Sequence, residues 1–269
     1  MKCIDFRVRP LVDGYRAMVK NKTTETFLKA FRCSSPASIQ EQSIELLLRE
    51  MDEAGVDLAV VPGRQSRVTN VSNEALVRLA EQYPERFAVF PLFNPEKPQE
   101  SLQEIVELTQ GGSCLGVSIE PGFGNALRFD AAQYQLLYEY MNEYHLPLLT
   151  TCCGSNTPVL DASLPGCFQA MAKQYPNMTM IAGHGGWPWF REMCFVAFFT
   201  PNVFFASGFV FYALSGGRRC TVGSQLHVTG KNAVRIVLST FASRGGGEAC
   251  ERMGTFRGCT RAFSLQKCG

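Results

Sequence analysis

The sequence predicts a single α/β domain, a (β/α)₈ TIM barrel with an irregular C-terminal end, and three observations support this. The chain has 269 residues, and one such barrel typically needs about 250. Short β-like segments bounded by turn residues alternate with segments of helical periodicity, the pattern of parallel βα units. Hydrophobic residues make up 46% of the chain, which is enough to bury one large core. We therefore assign residues 1–269 to one domain.

Eight candidate strands follow one another along the chain, and eight is the number of strands in this barrel. They are residues 3–8, 57–61, 87–91, 115–120, 147–151, 179–183, 203–206 and 234–240. Candidate helices lie between them. The first begins at Ser38, where Ser38 and Glu41 form a capping-box pattern, and stops at Gly55. The others are residues 72–83, 98–110, 130–144, 163–175 and 187–199.

Two segments depart from this regular alternation. Residues 9–38 form a long first βα connection, and in a barrel such a connection usually covers the active site. A surface excursion without a role is the alternative, since loops tolerate insertion cheaply.

Residues 215–269 are rich in glycine and lack an apolar helical stripe. We expect this segment to be atypical and poorly ordered, and a reading-frame error there is the alternative explanation.

Charge and apolar patterning limit the classes of partner. Residues 215–269 hold nine basic and two acidic residues, but no recognisable nucleic-acid-binding motif accompanies them, so no nucleic-acid partner is expected. The N-terminus carries Asp5, Arg7 and Arg9 in its first apolar run and lacks a secretory signal. The apolar stretch 194–214 is interrupted by turn residues, so we expect no membrane span and a cytoplasmic location. Homo-oligomerisation is left open.

Polar side chains stand where several candidate strands end, which is where barrel enzymes carry their catalytic groups. These residues are Arg7, Arg9, Glu120, Thr151 and His184, with Trp187 three residues after the histidine.

Two of these strand ends carry a family resemblance. The opening I-D-F-R-V-R-P resembles the I-D-x-H-x-H-P of the amidohydrolase superfamily, in its branch of decarboxylases and hydratases, and G-H-G-G-W-P-W resembles that branch's G-H-x-G-x-x-W. The segments LLREMDEAGVDLAVV and YPERFAVFPLFNP are also similar to the family's second and third βα units. The resemblance spans residues 1–214 and the strand near residue 235, and it implies the barrel fold.

The resemblance also implies a divalent metal, often zinc, held by two strand-one histidines, a strand-five histidine and a strand-eight aspartate. By position, these fall on Arg7 and Arg9, on Thr151 or Cys152, and on Phe241. The strand-six histidine, which commonly binds substrate or metal, is His184. Arginine has no lone pair for a metal and keeps its positive charge. We therefore expect no standard metal site and no cofactor, with zinc as the cofactor that the resemblance itself implies.

A pair of guanidinium groups is suited to binding a carboxylate through charge-assisted hydrogen bonds. We therefore predict a small carboxylated substrate, bound by Arg7, Arg9, Thr151 and Trp187, with His184 and Glu120 as catalytic residues for proton transfer. The predicted activity is that of a hydrolase, or of a decarboxylase or hydratase. Three alternatives stay open: a zinc hydrolase with a reduced metal site, a non-catalytic anion-binding barrel, and a structural ion pair of Arg7 with Asp5 or Glu120.

Overall fold

The computed structural model describes residues 4–22, 25–26, 35–66, 69–122, 127–151 and 159–206. The strands are β1 (Ile4–Phe6), β2 (Leu58–Pro62), β3 (Arg64–Gln65), β4 (Asn70–Val71), β5 (Phe87–Phe90), β6 (Val117–Ile119), β7 (Leu148–Thr150), β8 (Met180–Ala182) and β9 (Val203–Phe205). The helices are α1 (Gly14–Val19), α2 (Ala37–Glu41), α3 (Ile44–Glu53), α4 (Asn73–Gln82), α5 (Pro98–Gln110), α6 (Gln135–Glu143), α7 (Pro165–Gln174) and α8 (Phe190–Phe199).

Seven parallel strands form a continuous wall in sequence order. One sheet has the order β1-β2-β5 and the other has the order β6-β7-β8-β9, with every neighbouring pair parallel. An isolated parallel bridge between Leu92 and Ser118 joins the two sheets, and the Ser118 amide donates to the Pro91 carbonyl at 2.8 Å. This junction places β6 beside β5, as a barrel requires. The predicted eighth strand, residues 234–240, lies outside the described residues.

The core is layered because successive side chains of a strand point to opposite faces. One face forms an inner cluster with contributions from most of the wall, including Val60, Ala88, Leu149, Ile181 and Ala206. The other face packs against the helices in two clusters. The first holds alternate residues of β2 and β5 with side chains of α3 and α4. The second holds residues of β6, β7 and β8 with α6 and α7. The strand ends beyond the inner cluster form the mouth of the wall.

The helix predicted to start at Ser38 is interrupted, so that prediction is wrong. The short helix α2 stops at Gln42, which has a left-handed φ of 56°, and α3 starts afresh after Ser43. The Ser43 hydroxyl accepts a hydrogen bond from the Leu46 amide at 3.1 Å, as an N-cap does. Ser38 makes no cap and instead donates its hydroxyl proton to Glu50 at 2.6 Å.

Other predicted elements agree more closely with the structure. The helix predicted at 98–110 coincides with α5, and the helix predicted at 72–83 differs from α4 only by its two capping residues. Within 130–144, a 3₁₀ turn at Ala132–Tyr134 precedes α6. The antiparallel hairpin formed by β3 and β4 was not predicted.

Two sequence-based expectations concern the chain beyond these elements. The atypical segment 215–269 lies outside the described residues, as does part of the first βα connection, residues 27–34. Within the part of the chain that the structure describes, no helix has both the length and the apolar character needed to cross a bilayer.

Candidate functional site

The polar residues predicted at strand ends meet at the mouth of the wall. Arg7 directly follows β1, Glu120 follows β6, Thr151 follows β7 and His184 stands two residues beyond β8. Because all these strands are parallel, their carboxyl ends lie on one side of the molecule. The structure adds one residue that the sequence analysis missed, Arg64, two residues beyond β2. Its position after a buried strand was the signal that could have identified it.

Arg7 reaches across the mouth because the chain bends sharply where β1 ends. Arg7 has a left-handed φ of 77°, and both its amide and that of Val8 donate to the Val60 carbonyl at 3.0 Å. The side chain is buried, and its Nη2 donates to Thr151 Oγ1 at 3.0 Å. A non-glycine residue in the left-handed region costs about 1–3 kcal/mol, so the rest of the structure must hold this conformation.

The far end of the Arg7 side chain lies against Gly183. A Cβ atom added to Gly183 would stand 3.0 Å from Arg7 Nη1 and 2.8 Å from the Thr150 carbonyl oxygen. Glycine is therefore the residue that leaves room for the guanidinium group between the ends of β7 and β8.

A second arginine is paired with the carboxylate at the mouth. Arg64 Nε lies 3.3 Å from Glu120 Oε1, and both side chains are buried. The Thr151 hydroxyl lies 3.4 Å from the same carboxylate oxygen. Thr151 thus links Arg7 to Glu120, and Glu120 forms an ion pair with Arg64. Glu120 Oε2 is shielded from solvent and accepts no hydrogen bond from a described residue.

The position of Arg64 is set by close backbone packing. A Cβ atom on the preceding Gly63 would lie 2.4 Å from the Leu92 amide nitrogen, so only glycine fits there. The neighbouring Pro62 carbonyl accepts a hydrogen bond of 2.6 Å from the hydroxyl of Tyr15, which is fully buried on α1. The first βα connection therefore packs directly on the chain segment that carries Arg64.

Arg9 is the third cation near this network. Its side chain is half-buried, and it forms no ion pair with any carboxylate among the described residues. Burial lowers the pKa of Arg9, and the positive charges of Arg64 and Arg7 lower it further. Arg7 and Arg64 therefore both lie close enough to Arg9 for their charges to act on it.

His184 lies among these arginines as a neutral imidazole. Burial lowers its pKa well below the ordinary value, and the charges of Arg7, Arg9 and Arg64 add to the effect. Its Nδ1 is shielded from solvent and has no hydrogen-bond partner in the described part of the chain. The residue also adopts a left-handed φ of 55° within the 3₁₀ segment Gly183–Gly186. A strained, desolvated histidine at strand ends is typical of a functional position.

Trp187 and a cavity beside β1 complete the surroundings. Trp187 is half-buried, and its peptide bond to Pro188 is cis; no described contact joins its side chain to the arginine network. The cavity is lined by Arg7 and Arg9 and by apolar residues of α3 that include Leu47 and Met51.

A comparison with protein families gives one match. A family model described as amidohydrolase matches residues 34–241, so the segment that holds Arg7 and Arg9 precedes the matched range. No protein of curated function shows a significant sequence match.

Solved structures with this architecture are also found. An uncharacterised TIM-barrel protein from Bordetella bronchiseptica is 25% identical with a TM-score of 0.74, over 83% of this chain and 81% of that one. The 5-carboxyvanillate decarboxylase from Sphingomonas paucimobilis is 16% identical with a TM-score of 0.51, over 81% and 84%. A dihydroxybenzoic acid decarboxylase from Polaromonas, solved with bound manganese and an inhibitor, is 14% identical with a TM-score of 0.52, over 78% and 80%. These likenesses confirm the predicted TIM-barrel fold.

Proposed function

Because the chain belongs to the amidohydrolase family, we propose that it is an enzyme acting on a small carboxylated substrate by hydrolysis or by a lyase reaction. The observation that supports this most strongly is the convergence of Arg7, Arg9 and Arg64 beside a neutral histidine at the strand ends. The low-identity decarboxylase neighbours named above agree with a carboxylated substrate.

Anion binding is the first role of the mouth. Arg9 lacks a carboxylate partner among the described residues and is partly desolvated, so an incoming carboxylate would relieve the repulsion that lowers the pKa of Arg9. Arg7 presents a planar guanidinium group, which can bind a carboxylate through two parallel hydrogen bonds. Thr151 accepts a hydrogen bond from Arg7 and so fixes its guanidinium group. Trp187 lies three residues after His184 in the sequence, and its indole ring is the aromatic surface assigned to substrate binding.

Proton transfer is the second role. A neutral imidazole offers one nitrogen that donates and one that accepts, so His184 can move a proton in either direction between substrate and solvent. Glu120 Oε2 is a buried oxygen that is free to accept a hydrogen bond or a proton at the mouth. A bound carboxylate would offset the arginine charges, and this would raise the pKa of His184 toward its ordinary value.

The metal that relatives carry does not fit the described residues. No group of three histidine, cysteine, aspartate or glutamate side chains converges anywhere in the described ranges. At the mouth, three positively charged guanidinium groups lie near one carboxylate. Such groups repel a dication and cannot coordinate it. We propose that Arg7 and Arg9 stand where the family places its metal-binding histidines, and that the positive charge comes from arginine.

Binding and turnover measured on the same variants test this function. Benzoate serves as the carboxylate probe in calorimetric titrations, and a panel of small carboxylates is followed for turnover by mass spectrometry with and without EDTA. We expect Arg7→Gln and Arg9→Gln each to weaken benzoate binding at least tenfold. We expect His184→Asn to keep benzoate affinity and to lose turnover. Arg78→Gln, which removes an exposed arginine paired with Glu74 on α4, is the matched control.

The same measurements separate the alternatives. Benzoate binding without turnover of any carboxylate would indicate a non-catalytic anion-binding barrel. Stoichiometric zinc in protein purified without chelator would indicate a zinc hydrolase. If Arg7→Gln unfolds the protein while the affinity of the folded fraction is unchanged, Arg7 is a structural residue.

A further inference from the structure

We propose that Tyr15 is a positioning residue of the mouth: its hydroxyl group fixes the backbone that carries Arg64 and thereby sets where the arginines bind the substrate anion. This inference rests on the proposed carboxylate-binding function and adds to it a residue of the first βα connection. Neither the sequence resemblance nor the comparisons assign a role to Tyr15.

The Tyr15 hydroxyl takes the place of a strand partner that β1 no longer supplies. In a parallel ladder, the carbonyl groups of alternate residues point to the same neighbouring strand. The Val60 carbonyl accepts from the amides of Arg7 and Val8, so the Pro62 carbonyl also faces the side of β1. The chain has left the strand there, because it turns at Arg7 with a φ of 77°. The Tyr15 hydroxyl donates to the Pro62 carbonyl at 2.6 Å instead.

This hydrogen bond fixes the peptide unit that leads into Arg64. The unit joins the Pro62 carbonyl to the Gly63 amide, and the two groups point in opposite directions because the peptide is planar and trans. Tyr15 binds the carbonyl on one side, and the Phe90 carbonyl of β5 accepts from the Gly63 amide at 2.7 Å on the other. Without the Tyr15 bond the unit is held from one side only, and any rotation of it moves Arg64.

Tyr15 can serve as an anchor because the start of α1 is itself fixed. The Tyr15 side chain is fully buried. A Cβ atom on Gly14 would lie 1.8 Å from the Asn70 carbonyl oxygen, so only glycine allows α1 to approach β4 this closely. Asp13 Oδ2 accepts two hydrogen bonds of 2.8 Å from Ser72. Three successive residues thus hold the first βα connection against the wall.

The Tyr15 hydroxyl also lies within range of the charges at the mouth. Burial raises the pKa of Tyr15, and among the charged groups Arg9 has the largest effect on it, followed by Arg64. The hydroxyl is therefore neutral at physiological pH and donates its proton to the Pro62 carbonyl. Because it carries no negative charge, it positions the arginines without competing with a carboxylate for them.

Removal of one hydroxyl group from each of two matched tyrosines tests the proposal. Tyr138 is also buried, and its hydroxyl donates to the Phe129 carbonyl at 2.6 Å within the cluster packed against the helices. We expect Tyr15→Phe and Tyr138→Phe each to lower the melting temperature. Only Tyr15→Phe should weaken benzoate binding in calorimetric titrations, by about fivefold, the factor that corresponds to the loss of one hydrogen bond. Equal benzoate affinities of the two variants would mean that Tyr15 is merely structural and would overturn the proposal.

A second measurement uses the wild-type protein and does not depend on the folding of any variant. Coupling between two sites is reciprocal, so benzoate bound at the arginines must act on the segment that Tyr15 holds. In a nuclear magnetic resonance titration we expect benzoate to shift the amide signals of Tyr15 and Gly63 and to leave that of Tyr138 in place. Saturation with benzoate without a shift at Tyr15 or Gly63 would overturn the positioning role and leave the proposed function standing. Failure of benzoate to bind would overturn both proposals.

Discussion

Gly183 illustrates how one missing Cβ atom sets the position of a charged group. The Gly183→Ala substitution places a methyl group 3.0 Å from Arg7 Nη1 and 2.8 Å from the Thr150 carbonyl, so the guanidinium group must move. We expect Gly183→Ala to weaken benzoate binding about tenfold and to cost roughly 1–3 kcal/mol of stability. Titration calorimetry and urea unfolding measure the two effects.

The control for this substitution is Gly166→Ala in α7. A Cβ atom there meets nothing within 4 Å, so the change should leave binding intact and be neutral or slightly stabilising. Unchanged benzoate affinity in Gly183→Ala would show that Arg7 can relax without leaving its working position.

His184 should make stability depend on pH. Its pKa in the folded protein lies well below the ordinary value of 6.5, so the unfolded chain takes up the proton first as pH falls. The contribution of His184 to stability is therefore fully present above about pH 6.5 and declines below it, by up to about 1.4 kcal/mol per pH unit. We expect His184→Gln to flatten the decline in unfolding free energy between pH 7.5 and 5.5. His145→Gln, at an exposed position, should retain the wild-type dependence.

At the scale of elements, the start of α4 is linked to the first βα connection. The Ser72 hydroxyl caps the helix by accepting from the Ala75 amide at 3.3 Å. Asp13 Oδ2 accepts from both the amide and the hydroxyl of Ser72 at 2.8 Å, and these bonds lower the pKa of Asp13. The cap of α4 therefore also fixes the connection that leads to Tyr15.

This link predicts unequal effects of two cap substitutions. Loss of an N-cap costs about 0.5–2 kcal/mol. We expect Ser72→Ala to destabilise the protein more than Ser43→Ala, since Ser43 caps α3 without a bond to a distant segment. The Asp13→Ala and Ser72→Ala double-mutant cycle should show coupling. Equal costs for the two serines, with no coupling, would mean that the contact with Asp13 adds nothing.

Sequence periodicity located the regular elements but not their interruptions. The helix at 98–110 was predicted correctly because Pro98 and the paired glycines after Gln110 are strong local signals. The break at Gln42 was missed because it depends on a left-handed residue that is not glycine. The pairing of Arg64 with Glu120 was missed because it joins residues far apart in the sequence, on which periodicity carries no information. The position of Arg64 after a buried strand was the signal that the sequence did offer.

At the scale of the whole molecule, the rule that parallel strands end on one face predicted where the polar residues gather. It did not predict how they are paired. Arg7, Glu120, Thr151 and His184 were all expected at one face, because parallel strands end together. The links Arg7–Thr151 and Arg64–Glu120 could not be predicted, since they depend on side-chain reach across the mouth. The roles assigned to Arg7, Glu120, Thr151 and His184, and to Arg9 and Trp187, remain predictions.

The junction of the two sheets has a mechanical consequence. Backbone bonds around Ser118 join the two sheets. At the mouth, side chains add two further links between them. Arg7 and Arg64 come from the sheet β1-β2-β5, and their partners Thr151 and Glu120 follow strands of the other sheet. A ligand that binds these arginines therefore adds a further link across the seam, the junction between the two sheets. We expect bound benzoate to slow amide hydrogen exchange at Phe93 and Ser118, whose amides bond across the seam. The exchange rate of the Leu108 amide, in a helix of the outer layer, should decrease less when the ligand binds. An equal decrease throughout the chain would instead indicate that the ligand stabilises the whole fold and does not act specifically at the seam.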